Sequence, residues 1–392
     1  MKKITILTAV LMTVLSSAAQ NNIPEILESV EKNNTTLKAL RIQTDTEKLG
    51  NRTDIFLSDP EVEFNYLWGN PGMIGNRKDI SVKQNFDIPT ITGMKNRQAD
   101  KQNHLVELRY KADRIDILRE ARKYCMELIY YNRLRQELGT RIEHSRIIAN
   151  SFKSALENGD ANILDYNKAM LNLSAAEGEM SRIEMERTAV LMGLRRLNGD
   201  QKIIFEETDY PAVVLPSDFE EWFAYAEEKS PVLKYVKKEV ELSQKQVSLN
   251  KAMGLPSLTA GYMREKTLGQ NYQGITVGIS VPLWDNKNKV KQAKAAVIAS
   301  EAKQTDTRIQ FYSELQKLYY RTSRLMHIAL EYKNSLSAFN NTDLLKKALD
   351  AGQISLLEYI MEVSLYYETV NKTGEAERDF HLSFAELSSM EL

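Results

Sequence analysis

Few residues of this 392-residue sequence have the type and spacing that chemistry requires. The four histidines, His104, His144, His327 and His381, are scattered, and the single cysteine, Cys125, falls inside a helical stretch. Metal centres need such groups clustered at short spacings, so neither a metal site nor a disulfide framework is expected. There is no nucleophile elbow, phosphate loop, metal motif or spaced carboxylate pair, which argues against an enzyme and against any cofactor. One acidic arrangement does recur: Glu358 follows Gly352 by six residues, and Asp165 follows Gly159 by the same six. At the start of a helix such a carboxylate supplies charge rather than catalysis, and the helix dipole favours it there.

Composition narrows the field further. Lys and Arg total 52 against 53 Asp and Glu. A chain that neutralises nucleic-acid phosphates carries a clear excess of basic residues, so nucleic acid is excluded as a partner. With 43% hydrophobic residues there is ample material for a core. Length alone would divide the chain into two or three ordinary domains.

The elements that hold the two acids appear twice. Leu37, Pro60 and Tyr66 match Leu233, Pro256 and Tyr262 at an offset of 196; Pro89, Gly159 and Tyr166 match Pro282, Gly352 and Tyr359 at 193. The chain after its leader is therefore one unit, 20–392, made of two repeats at about 23–200 and 217–392. Each repeat reads as a helical segment of about 30 residues, a hairpin of two strands, a very long helix and a returning helix. The long helices, 93–157 and 286–350, span roughly 100 Å each at about 1.5 Å per residue. In the second, Phe311, Leu315, Leu318, Leu325, Ala329, Tyr332, Leu336 and Phe339 follow the spacing of a left-handed coiled coil. The final helices are expected at 161–197 and 355–387. By themselves these helices fit a rod as well as a pore.

The hairpins bear on that choice. Val62, Phe64 and Tyr66, then Ile80 and Val82, then Leu258 and Tyr262, and finally Ile275, Val277 and Ile279 alternate with polar or small residues, interrupted only at Gln84. Stretches of about nine such residues match tilted strands crossing a bilayer, with the named residues facing lipid. Tyr66, Trp68, Tyr272 and Trp284 stand near strand ends, where aromatic belts lie. Four strands cannot close a barrel, and open edges are not tolerated in lipid. Two copies would give eight strands and three would give twelve.

The N-terminus sends the chain out of the cytoplasm. Lys2 and Lys3 precede an apolar run ending at Ser17-Ala18-Ala19, the pattern of a signal peptide over residues 1–19. No cysteine stands at the cleavage site, so lipidation is not expected. Beyond this leader no stretch of about 18 apolar residues appears.

Four segments together resemble the TolC-like outer-membrane efflux proteins of Gram-negative bacteria. They are Lys229-Ser230-Pro231-Val232-Leu233, Gly254-Leu255-Pro256-Ser257-Leu258, Val281-Pro282-Leu283-Trp284-Asp285 and Ala351-Gly352-Gln353-Ile354-Ser355-Leu356-Leu357-Glu358. Asp59-Pro60-Glu61-Val62-Glu63-Phe64 and Gln84-Asn85-Phe86-Asp87 are similar to the heavy-metal cation efflux branch. The resemblance implies an α+β membrane protein of the outer membrane. Four strands per chain join a trimeric 12-stranded β-barrel, and a long α-helical barrel continues it through the periplasm.

It also implies a homotrimer working with a periplasmic adaptor and an inner-membrane transporter of the RND type, as a passive conduit. The tip around Gly159, Asp160, Gly352 and Gln353 would be the gate and docking end, and Glu358 would match the first of two family gate aspartates. Met361 stands where the second would be, Gln353 lacks the basic character of a family gate lock, and Asp165 is the first-repeat equivalent of Glu358. The competing reading is an exported soluble coiled-coil scaffold or adaptor without a pore.

Overall fold

Both repeats open on a buried polar cap. In the computed structural model, which describes residues 23–53, 55–70, 72, 75–86, 89–284 and 286–392, the side chains of Asn34 and Ser230 occupy equivalent places. Each accepts the backbone N–H three residues on, Leu37 at 2.8 Å and Leu233 at 3.3 Å. The signal peptide expected over 1–19 lies outside the described residues. The caps divide each lead-in segment, expected as one helix, into two: α1 (Ile23–Asn33) and α2 (Thr35–Gly50), then α5 (Phe219–Lys229) and α6 (Pro231–Ala252). A capping oxygen takes the N–H that helix continuation would use, and Pro231 has no N–H to give.

The strands are β1 (Glu61–Leu67), β2 (Arg77–Phe86), β3 (Ser257–Thr267) and β4 (Gln270–Ser280). They form one antiparallel sheet in the order β1-β2-β3-β4, so the pairing of β2 with β3 fuses the two hairpins. After the first hairpin runs α3 (Pro89–Asn158), 70 unbroken residues or about 105 Å. The second long helix, expected to be continuous, is instead α7 (Lys289–Ala338) followed by α8 (Thr342–Asp350). Asn340 causes the break: its Oδ1 accepts from the Thr342 N–H at 3.2 Å and from its hydroxyl at 2.8 Å, displacing the helical bond. The equivalent stretch of repeat one has Ile147 and Ile148, which offer no such competitor, and α3 runs through. The returning helices are α4 (Ile163–Leu197) and α9 (Leu356–Leu387), and a 3-10 turn, Ser388–Glu391, follows α9.

Phe311 and Leu315, the first residues of the α7 seam, pack with Phe219 and Phe223 of α5, and the seam faces α9 further along, while Phe339, just past the end of α7, is exposed. Thr322 fills the seven-residue gap in the seam, fully buried, with its hydroxyl 2.7 Å from that of Ser383 on α9. The main core lies midway along α3, where Leu118, Cys125, Leu128 and Ile129 meet Val30 of α1, Leu194 of α4 and Phe205 of the inter-repeat linker. Asn132 fastens that linker. Its amide donates to the carbonyls of Phe205 at 3.1 Å and Glu207 at 2.9 Å, and its oxygen accepts from Arg187 Nε at 2.5 Å.

His381 of α9 stacks on Tyr210 of the linker, ring centroids 4.1 Å apart and planes within 4°. Burial pulls its pKa down to about 4, because the charged ring loses hydration. A depressed value means the folded state binds fewer protons, so this contribution is complete above about pH 6.5 and is lost as pH falls toward 4. His381→Phe should therefore flatten the decline in melting temperature between pH 6.5 and 4, measured by thermal unfolding in buffered detergent. An unchanged slope would remove His381 as its cause.

Candidate functional site

The register of the sheet assigns every strand residue to a face. Val62, Phe64 and Tyr66 oppose Val82, Ile80 and Lys78. These oppose Tyr262, Arg264 and Lys266, and across the next ladder Tyr262 meets Ile275, Ala260 meets Val277 and Leu258 meets Ile279. All ten residues expected to face lipid thus share one face. Nothing among the described residues covers it: Phe64 is 61% exposed, Val277 75% and Ile275 84%. A soluble domain buries such a face, and an uncovered apolar surface of this kind marks contact with a membrane or partner. The apolar band reaches one pair further on β1 and β2, to Phe64 and Ile80, than on β3 and β4, where Arg264 and Gln273 stand. A band oblique to the hydrogen-bonded rows is what tilted strands present to a flat slab.

The opposite face is polar and laced with ion pairs. Lys83 pairs with Glu63 at 3.1 Å, and Arg77 with Asp79 at 2.9 Å and Glu265 at 3.0 Å. Tyr272, expected near a strand end where aromatic belts lie, pairs with Glu265 and belongs to this polar face. It lies an odd number of residues from Ile275, and strand side chains alternate. Gln84, which interrupts the apolar face, donates from Nε2 to the Ser58 carbonyl at 2.6 Å. It thereby satisfies a backbone acceptor just beyond the end of the β1–β2 ladder.

At the far end of the helices both repeats turn in the same way. Gly159 and Gly352 have φ of 82° and 67°, a region in which a Cβ is disfavoured. The N–H groups of Asp160 and Gln353 reach back to the carbonyls of Ala155 and Ala348, both at 2.8 Å, which closes the helix ends. Leu356 packs with Ala169 and Leu173, so the two turns stand side by side.

The acids that follow differ. Asp165 is 3.2 Å from Lys168, whereas position 361, equivalent to 168, is Met361, largely exposed. Glu358 closes a capping box: its Oε2 accepts from the Ser355 N–H at 2.7 Å and hydroxyl at 2.8 Å, and its own N–H donates to Ser355 Oγ. Those bonds, the backbone one foremost, hold its carboxyl below the usual carboxylate range, so it stays ionised. Among the described residues no three His, Cys, Asp or Glu side chains cluster as metal ligands, and no helix is long and apolar enough to cross a membrane.

The helices adjoining the strands pack in the strands' own order, α2 on α3, α3 on α6 and α6 on α7. The wall therefore has two edges, β1 with α2 and β4 with α7, and α4 adds to the first edge because its main neighbour is α3. Both edges carry unpartnered apolar stripes. On α2 they are Ile42 and Leu49; on α4, Leu164, Leu171, Met185 and Met192, all at multiples of seven. On α7, Ile298, Ile309 and Tyr320 recur every 11 residues, on the side away from buried Ser300 and Thr322. The seven-residue spacing on α4 could have been found in the sequence.

The same fold recurs among solved structures. The chain is similar to the CmeC outer membrane channel of Campylobacter jejuni, with a TM-score of 0.70 and 14% identity over 94% of this chain and 85% of that one. It is similar to the outer-membrane channel OprN, TM-score 0.74 and 12% identity over 94% and 89%. It is also similar to the outer membrane protein VceC of Vibrio cholerae, TM-score 0.63 and 12% identity over 94% of each chain. No protein-family model and no curated protein matches the sequence. The chain has the fold of the TolC-like outer-membrane channels, as its sequence resemblance implied.

Proposed function

We propose that this chain is the wall segment of a passive outer-membrane efflux conduit. The observation that carries the reading is the uncovered apolar sheet face, continuous with two unpartnered edges. A wall with two different edges closes into a ring when the β4 and α7 edge of one copy meets the β1 and α2 edge of the next. Closure also removes the open strand edges that lipid does not tolerate. Physics admits two copies or more; the family resemblance supplies three, giving twelve strands. An exported soluble scaffold has no use for the exposed face.

In this reading the helices form a periplasmic tunnel, and the Gly159 and Gly352 turns form its tip. A periplasmic adaptor and an inner-membrane pump of the RND type supply opening and energy, and the pump chooses the cargo. The chain itself performs no catalysis. Glu358, ionised and without a cation at position 361, repeats once per copy at the tip and favours cations there, whereas Lys168 neutralises Asp165.

Two measurements test this. The mature protein should remain in membranes through a high-salt wash and stay oligomeric in mild detergent; release as a soluble monomer would end the conduit reading. In planar bilayers Glu358→Ala should lower cation over anion preference, while Asp165→Ala should change it little. Unchanged preference in Glu358→Ala would remove that residue from the path.

A further inference from the structure

At the turn end of the sheet, beyond the apolar band, the lipid-side face carries three cations. Lys78 and Lys266 are directly opposed across the β2–β3 ladder, and Arg264 lies one pair along, opposite Ile80. Like charges directly opposed destabilise a sheet unless something of opposite sign is near. Among the described residues no such group lies on that face. The single acid of β2, Asp79, and that of β3, Glu265, point to the other face and pair with Arg77. On their own face the cations have only neutral neighbours: Lys78 lies over the Tyr66 ring at 5.4 Å, and Arg264 Nε donates to Asn271 Oδ1 at 3.0 Å. Lys78, Arg264 and Lys266 are all exposed, and Trp68, 83% exposed, stands at the same rim.

We infer that Lys78, Arg264 and Lys266 form a phosphate-binding site for an anionic lipid in the leaflet remote from the helices. The lipid's acyl chains lie along Phe64, Ile80 and Val82, immediately below the cations on the same face. This rests on the reading that the apolar face meets lipid. The continuity of cations with the apolar band selects a phosphate borne on a lipid over free phosphate, because both halves of such an amphiphile find their complement. Basic residues beside an anionic membrane surface attract its headgroups in this way.

The test is titration of the detergent-purified oligomer with diphosphorylated lipid A, read by native mass spectrometry. The double variant Lys78→Gln with Lys266→Gln should bind the lipid roughly tenfold more weakly or worse. Lys83→Gln, on the polar face, should bind as the parent does, and millimolar inorganic phosphate should not displace the lipid. Parental affinity in the double variant overturns the site, as does an equal loss in Lys83→Gln. Displacement by inorganic phosphate shows an anion site without lipid selectivity and also overturns it. Recovery of the parent protein in the soluble fraction is instead a failure of the membrane reading, and fractionation of the same preparations distinguishes the two.

Discussion

Val277→Arg will empty the membrane fraction of this protein, and Thr276→Arg, one residue away, will not. Val277 is the middle apolar residue of β4 and opposes Ala260 on the uncovered face, whereas Thr276 opposes Gly261 on the polar one. Arginine at the lipid midplane costs about 2–4 kcal/mol in a membrane barrel, and the proposed ring of three copies would multiply this to roughly 6–12 kcal/mol. On the polar face the same side chain reaches water. The readout is the amount of oligomer recovered from washed membranes and resolved on a gel without boiling. Equal recovery of the two variants would contradict the assignment of faces, and with it the membrane reading.

The second large effect is on stability rather than insertion. Phe205→Ala should lower the unfolding free energy by about 3–5 kcal/mol, since a buried aromatic side chain is lost and its site cannot fully collapse. Phe205 is 1% exposed and sits where α1, α3, α4 and α9 converge. Its carbonyl also accepts from Asn132, so Asn132→Ala leaves that acceptor only a 3.5 Å contact from Arg187 Nη2 and removes the partner of the Glu207 carbonyl and of Arg187 Nε. An unsatisfied buried polar group costs about 1–3 kcal/mol, and the two changes should not add, because they share the same linker contact. Thermal unfolding in detergent and trypsin sensitivity of the linker would show both. A melting temperature unchanged in Phe205→Ala would mean that the linker does not hold the repeats together.

Much of the wall could be read from residue order because its information is local. Alternation put the ten named residues on one face, which Phe86 and Ala260 share, and the offsets of 196 and 193 located both hairpins and both glycine turns. The same parity places Tyr272 on the polar face, which its position near a strand end alone does not reveal. The break at Asn340 was harder to read. A heptad seam continues on paper to Phe339, and only the competition of one side-chain oxygen with the backbone stops it. Glu358 was legible as a first-turn acid, and its Ser355-Leu356-Leu357-Glu358 capping pattern and the contrast between Lys168 and Met361 at the offset of 193 are equally local; the Lys168 contact to Asp165 and the side-by-side turns came from the structure.

The sequence by itself determined the duplication, the two faces of each strand and the turns at Gly159 and Gly352. Each depends on chemistry within a few residues or on repetition along the chain. Only the tertiary structure decided that β2 pairs with β3, that the adjoining helices follow the strands' order, and that the two edges of the wall are different and open. Those facts depend on which distant surfaces meet, as Asn132 meets Phe205 across 73 residues of chain. Periodicity specifies that a face must be covered, while packing specifies which faces are covered and which are left for lipid or for another copy.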